Sequence, residues 1–259
     1  MSAAKPVMLS GRRGGTTHRE VELLSQLPPQ LRLIGGLAVM CRVGTPHRAT
    51  ADLDAVARDL TSLHPSLAGS ALTSAAGGQY RFAGDMDLDV IDIAAVPAEE
   101  LLEALLLPGD ELSDLELNVV AHTWAHDGAA ELDIVAVDHE SGVPLAKAAG
   151  RMVATTVGII TMKATTVALR ASSKPEKRAS DLYDVGRLLV AGRASPAEVD
   201  AVPEPLRTAV ADRLRHWFVD DAGRDRTYRD VRRFDEPRLD LDEVADAVDD
   251  LFQKLPLSP

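Results

Sequence analysis

Hydrophobic positions follow two different periods along this chain, and the change of period divides it. Between about residues 31 and 140 the apolar runs are short, often alternate with polar residues, and are separated by glycine-bearing turns; beyond about 150 they recur every three or four positions. Val21, Leu23, Leu24 and Leu27 predict a short helix over 18–27, ended by Pro28-Pro29. A brief strand at 31–34, a helix at 36–42, a loop at 45–51 and a strand at 53–57 follow. The small residues of 60–78 predict a helix ended by Gly77-Gly78, and 79–82 with 86–93 a hairpin across Ala83-Gly84-Asp85. Pro97 and Glu99-Glu100 open a helix over 97–107. Residues 115–124 and 131–137 read as a further strand pair around His126-Asp127-Gly128. Helices are expected at 157–169, 176–189, 196–219 and 241–252, with the arginine- and aspartate-rich 224–238 as a solvated connection and 1–17 as a poorly ordered lead-in. The fold class expected is α+β: a mixed sheet with flanking helices over residues 1–150, then a helical domain over 151–259.

Composition narrows this picture. Aromatics are only 3% of the chain, so the core must be built mainly from Leu, Val, Ala and Ile. The net charge of −12 argues against broad, nonspecific coating of nucleic acid, while leaving room for a local basic surface. Cys41 is the single cysteine and forms no internal disulfide, which suits a reducing, cytoplasmic setting. No apolar run is long enough to cross a membrane, and 1–17 lacks the apolar segment of a secretory signal.

The chemistry concentrates in 35–54. Gly35-Gly36 follows an apolar run, and without side chains the backbone there can approach a phosphate. Asp52 and Asp54 stand one residue apart on an expected strand, so their carboxylates share one face. Like charges that close are costly unless a cation sits between them. A hard divalent ion with oxygen ligands, Mg²⁺ or in its place Mn²⁺, answers that need. Transfer chemistry at such a pair calls for a third carboxylate; Asp89, in Asp87-Leu88-Asp89-Val90, is the candidate and Asp133 its rival. Positive partners come from the helical half. Lys163 interrupts an apolar helix, Arg170 follows two turns later, and Lys174, Lys177 and Arg178 come next. Asp181 and Asp184 share a helix face at a spacing that can orient Lys163 or Arg170, or support the metal site from behind its ligands. Cys41 is expected to be a buried small hydrophobe, and His122, His126 and His139 ordinary surface residues, since they lack a metal-ligand spacing.

Taken together these residues resemble the AbiEii-type nucleotidyltransferases, within the wider DNA polymerase β-like nucleotidyltransferase fold. The resemblance rests on Gly35-Gly36, on Arg48-x-Thr50-x-Asp52-x-Asp54, on the strand aspartate Asp89, on Lys163 with Arg170, and on Asp181 with Asp184 and Leu188. It covers about residues 30–190, and Gly36 stands where many members have serine. It implies an NTP-dependent enzyme of the EC 2.7.7 type: Asp52, Asp54 and Asp89 hold Mg²⁺ and are catalytic together with Lys163 and Asp184, while Gly35, Gly36, Arg48, Thr50, Lys163, Arg170 and Asp181 bind the nucleotide in a cleft between the two halves. It also implies an RNA acceptor, the 3′ end of tRNA, and a toxin role restrained by a cognate antitoxin, with no membrane partner. Two other readings stand beside it. One is transfer to a small molecule such as an antibiotic, whose cationic groups the −12 charge would favour; the other is a degenerate nucleotide-binding module, against which the intact Asp52/Asp54 pair speaks.

Overall fold

The computed structural model describes residues 5–45, 52–75, 77–106, 111–170, 174–234 and 237–252. Among them are eight strands and eleven helices, in two units: Met1–Ala95 with Gly128–Thr155, and Val96–Asp127 with Thr156–Pro259.

The first unit is α+β. Its elements are β1 (Val7–Gly11), α1 (Thr16–Gln26), β2 (Arg32–Ile34), α2 (Gly35–Val43), β3 (Asp52–Ala57), α3 (Leu60–Ser70), β4 (Thr73–Ala75), β5 (Gln79–Phe82), β6 (Met86–Asp92), β7 (Ala130–Asp138) and β8 (Pro144–Val153). The strands form one mixed sheet in the order β1-β7-β8-β2-β3-β6-β5-β4. At its centre β3 lies antiparallel to β2 and parallel to β6. The alternation read from the sequence is what orients them: Leu53 and Ala55 of β3 and Met86, Leu88 and Val90 of β6 are buried, while Asp52, Asp54, Asp87 and Asp89 turn to the other face. Helix α1 packs on β7 and β8, α2 on β3, and α3 on β5 and β6.

The second unit is helical: α4 (Ala98–Leu105), α5 (Asp114–Asp127), α6 (Thr156–Arg170), α7 (Pro175–Val190), α8 (Pro196–Asp200), α9 (Glu204–Phe218), α10 (Asp221–Val231) and α11 (Leu241–Phe252). Helix α6 is its centre. It is buried on nearly every side, as its all-round apolar sequence requires, and packs against α5, α7 and α9.

Four local expectations are corrected. Residues 115–124 are helix α5, not a strand. Leu115, Leu117 and Val119 mimic a period of two, yet Leu115 and Val119 are exposed and the buried set is Leu117, Val120, Ala121 and Ala125, at helical spacing. The start signal was present: Ser113 and Glu116 bond reciprocally, Glu116 N–H to Ser113 Oγ at 3.3 Å and Ser113 N–H to Glu116 Oε2 at 2.8 Å. Residues 7–11 are not a loose lead-in but strand β1, parallel to β7. The 60–78 helix ends at Ser70, and Thr73–Ala75 forms the edge strand β4. The solvated connection at 224–238 is largely helix α10. It packs through Gly223, Thr227 and Val231, so few apolar residues announce it, and a Cβ on Gly223 would stand 1.7 Å from the His216 carbonyl oxygen. Segment 96–127 belongs with the second unit through α5 and α6, whereas the sequence reading placed it before a boundary near residue 150.

Candidate metal centre

The centre of the first unit's sheet brings carboxylates together in pairs. In the parallel β3–β6 ladder Asp52 lies opposite Asp87, and Asp54 opposite Asp89. Four acidic side chains therefore share one face of two adjacent strands, an arrangement that repulsion opposes unless charge is neutralised. Asp87 is neutralised by an arginine. Arg81, on β5 opposite Asp87, donates from Nε to Asp87 Oδ1 at 2.7 Å and from Nη2 to Oδ2 at 2.9 Å. This two-point hydrogen bond holds the Asp87 carboxyl below its ordinary range.

The other three, Asp52, Asp54 and Asp89, are half-buried and each offers an oxygen within 4.8 Å of the others. That spread matches a coordination shell about 4–5 Å across, as formed by oxygens about 2.0–2.6 Å from Mg²⁺ or Ca²⁺. An all-oxygen, anionic donor set fits a hard divalent cation and not a soft one. The three residues thus fit the ion that the sequence reading assigns to them.

Helix α2 begins beside this cluster. Ile34, the last residue of β2, pairs with Asp54, and Gly35 follows with φ +69°. A Cβ on Gly35 would stand 2.0 Å from Asp54 Oδ2 and 2.6 Å from Asp54 Cβ. The position therefore requires glycine twice, for its backbone angle and for the carboxylate lying against it. Gly36 is buried in the first turn of the same helix. Arg48 and Thr50 lie outside the described residues.

Asp133 belongs to a different part of the sheet. Its strand β7 is separated from β3 by β8 and β2. Asp133 accepts from Gly150 N at 2.9 Å and pairs with Lys147 at 3.0 Å, and these bonds hold its carboxyl below the ordinary range. The cluster of three forms around Asp89 instead.

In the second unit Lys163, Arg170, Asp181 and Asp184 form one ionic network. Lys163 Nζ lies 2.7 Å from Asp181 Oδ1 and 3.0 Å from Asp184 Oδ2, and Arg170 pairs with the other oxygen of Asp181. The side chain of Asp184 is fully buried and those of Lys163 and Asp181 nearly so. Burying an ammonium and two carboxylates is tolerable because each meets opposite charge and hydrogen bonds. Asp181 and Asp184 reach Lys163 from one face of α7, and Asp181 also reaches Arg170, which are two of the roles their spacing allows.

His122, expected at the surface, is buried in α5. Its Nδ1 hydrogen-bonds the Asn118 carbonyl at 2.7 Å, and burial pushes the imidazole below its ordinary 6.5. Cys41 is buried as expected, and desolvation pushes its thiol up to about 12. Sequence reasoning passed over Arg81, Gln79 and Thr73. With Asp52, Asp87 and Asp89 these line a cavity of about 370 Å³. A larger cavity of about 680 Å³ shares Gln79, Tyr80 and Asp89 with it and reaches His64 of α3. The signal for Arg81 and Gln79 was the alternation Gln79-Tyr80-Arg81-Phe82, whose polar members share a face.

No family model matches the chain, and no curated protein matches it.

Proposed function

We propose that this protein is a divalent-metal-dependent nucleotidyltransferase that moves a nucleoside monophosphate from an NTP to a hydroxyl acceptor. The observation that carries the reading is the Asp52/Asp54/Asp89 cluster beside the glycine-started helix α2. Mg²⁺, or Mn²⁺ in its place, would supply charge neutralisation at the transferring phosphate and a lowered acceptor pKa. Asp52 and Asp54 would hold it from β3, and Asp89 from β6. Asp89 would also orient the acceptor hydroxyl and take its proton. Gly35 leaves room for the Asp54 carboxylate against the first turn of α2, whose backbone N–H groups would meet phosphate oxygens. The acceptor oxygen forms a bond to the α-phosphorus as the bond from that phosphorus to the bridging oxygen breaks, and pyrophosphate leaves. By resemblance, Lys163 and Arg170 are assigned to triphosphate charge; the KM for NTP in Arg170→Gln, whose side chain is partly exposed, measures that role. The same resemblance supports the nucleotidyltransferase fold type, the 3′ end of tRNA as acceptor, and a toxin role with a cognate antitoxin in the cytoplasm. The net charge of −12 favours a second reading, in which the acceptor is a cationic small molecule such as an aminoglycoside.

Incubation with α-labelled NTPs, Mg²⁺ and total tRNA tests the proposal. Label is expected on tRNA, and Asp54→Asn is expected to abolish it while the protein still unfolds at the wild-type temperature in EDTA. When an aminoglycoside is supplied beside the tRNA, label on it and not on tRNA selects the second reading. Transfer that survives Asp54→Asn would overturn the assignment of the centre.

A further inference from the structure

The order β2-β3-β6-β5-β4 gives the carboxylate cluster two unlike flanks. On the β2 side stand Gly35 and the first turn of α2. On the β5 side stand Gln79 opposite Asp89, Arg81 opposite Asp87, and Thr73 of β4 opposite Arg81. Tyr80 and Phe82 alternate with Gln79 and Arg81 and are buried, so the polar pair shares the carboxylates' face. All three polar residues line the 370 Å³ cavity with Asp52 and Asp89.

Arg81 is held but not used up. Its two bonds to Asp87 fix the guanidinium plane and engage two of five N–H donors. No other described residue accepts a hydrogen bond from it. Its side chain is 54% exposed and that of Asp87 42% exposed. The pair neutralises Asp87 beside the other carboxylates and still leaves the guanidinium open to a ligand. A fixed planar fork with spare donors is suited to binding a phosphate oxygen.

In-line displacement decides which phosphate. The attacking and leaving oxygens stand on opposite sides of the transferring phosphorus. With pyrophosphate leaving toward α2, the hydroxyl must arrive from the β5 flank. We infer that Arg81, with Thr73 and Gln79, forms an acceptor subsite that grips a backbone phosphate of a single-stranded nucleic-acid 3′ end. The inference rests on the nucleotidyltransferase reading. It favours an acceptor that carries a phosphate beside its hydroxyl, the charge-assisted partner of a guanidinium that an aminoglycoside lacks.

The test is fluorescence anisotropy, in EDTA, with a labelled single-stranded oligoribonucleotide bearing a free 3′ hydroxyl. Arg81→Ala should weaken binding about tenfold and reduce the slope of log affinity against log salt by about 0.7, the value for one lost phosphate contact on a single strand. Arg81→Lys should restore the slope. Arg81→Ala/Asp87→Asn removes both charges and should weaken RNA binding as Arg81→Ala does, which separates loss of the contact from an exposed Asp87. Mg²⁺-dependent NTP binding should stay at the wild-type level in Arg81→Lys and in the double variant, neither of which leaves Asp87 as an unpaired charge beside the cluster. RNA affinity and salt slope unchanged in both alanine variants would overturn the subsite while leaving the proposed reaction intact. Arg81-dependent RNA binding in a protein that transfers no label would instead count against the reaction and leave the contact standing.

Discussion

Replacing Gly35 with alanine tests the one position where backbone and carboxylate geometry meet. At φ +69° an alanine is in the left-handed region, which costs about 1–2 kcal/mol. The added Cβ would also stand 2.0 Å from Asp54 Oδ2 and 2.6 Å from its Cβ and Cγ, far inside van der Waals contact. Relieving such an overlap costs roughly 1–3 kcal/mol. Together the two effects predict a loss of about 2–5 kcal/mol, which for a chain of this size is a fall in Tm of the order of 10 °C. Scanning calorimetry is the suitable assay, since two units can contribute separate transitions. A double-mutant cycle separates the terms. Asp54→Gly removes all three crowding atoms, so in that background Gly35→Ala should cost only the backbone strain. A coupling of about 1–3 kcal/mol between the two substitutions is expected, within the range for residues in contact. Additivity within about 0.5 kcal/mol would refute the close approach as the reason for glycine here.

Mg²⁺ or Mn²⁺ should raise Tm in wild type by an amount that grows with the logarithm of ion concentration, about 2.7 kcal/mol of stabilisation at one hundred times Kd, and Asp54→Asn should abolish the rise; an equal rise in the variant would be the contrary result. Lys163→Met removes the ammonium that Asp181 and Asp184 both contact, and should cost about 3–5 kcal/mol by urea denaturation, with partial recovery when both aspartates are also made asparagine. The Cys41 thiol has an ordinary value of 9.0 and a folded value of about 12, so the folded state is favoured while both forms are protonated, below pH 9. That contribution is lost as pH rises from 9 toward 12, because only the unfolded chain releases the proton; the stability gap between wild type and Cys41→Ala should shrink over that window, and a gap constant with pH would contradict it.

The alternation in 52–57 and 86–92 was enough to place four aspartates on one face of two strands, because side-chain direction in a strand is a local property of period two. Spacing likewise placed Asp181 and Asp184 on one helix face, since i, i+3 neighbours share a face wherever the helix packs, but it was the packing of α7 on α6 that brought Lys163 to both. What sequence could not decide was pairing between distant segments. Asp89 and Asp133 looked alike as strand aspartates; only the strand order set one beside Asp54 and left the other with Lys147. Helix α5 was misread because Leu115 and Val119 are exposed, and exposure is a tertiary outcome that the residues themselves do not state. Arg81 became significant only when the β5–β6 ladder put it opposite Asp87 and paired the two, beside three carboxylates whose oxygens lie close enough to hold a cation. Local chemistry in the chain determined which groups are offered. Long-range pairing, which depends on how strands separated by many residues find each other, decided which of them meet.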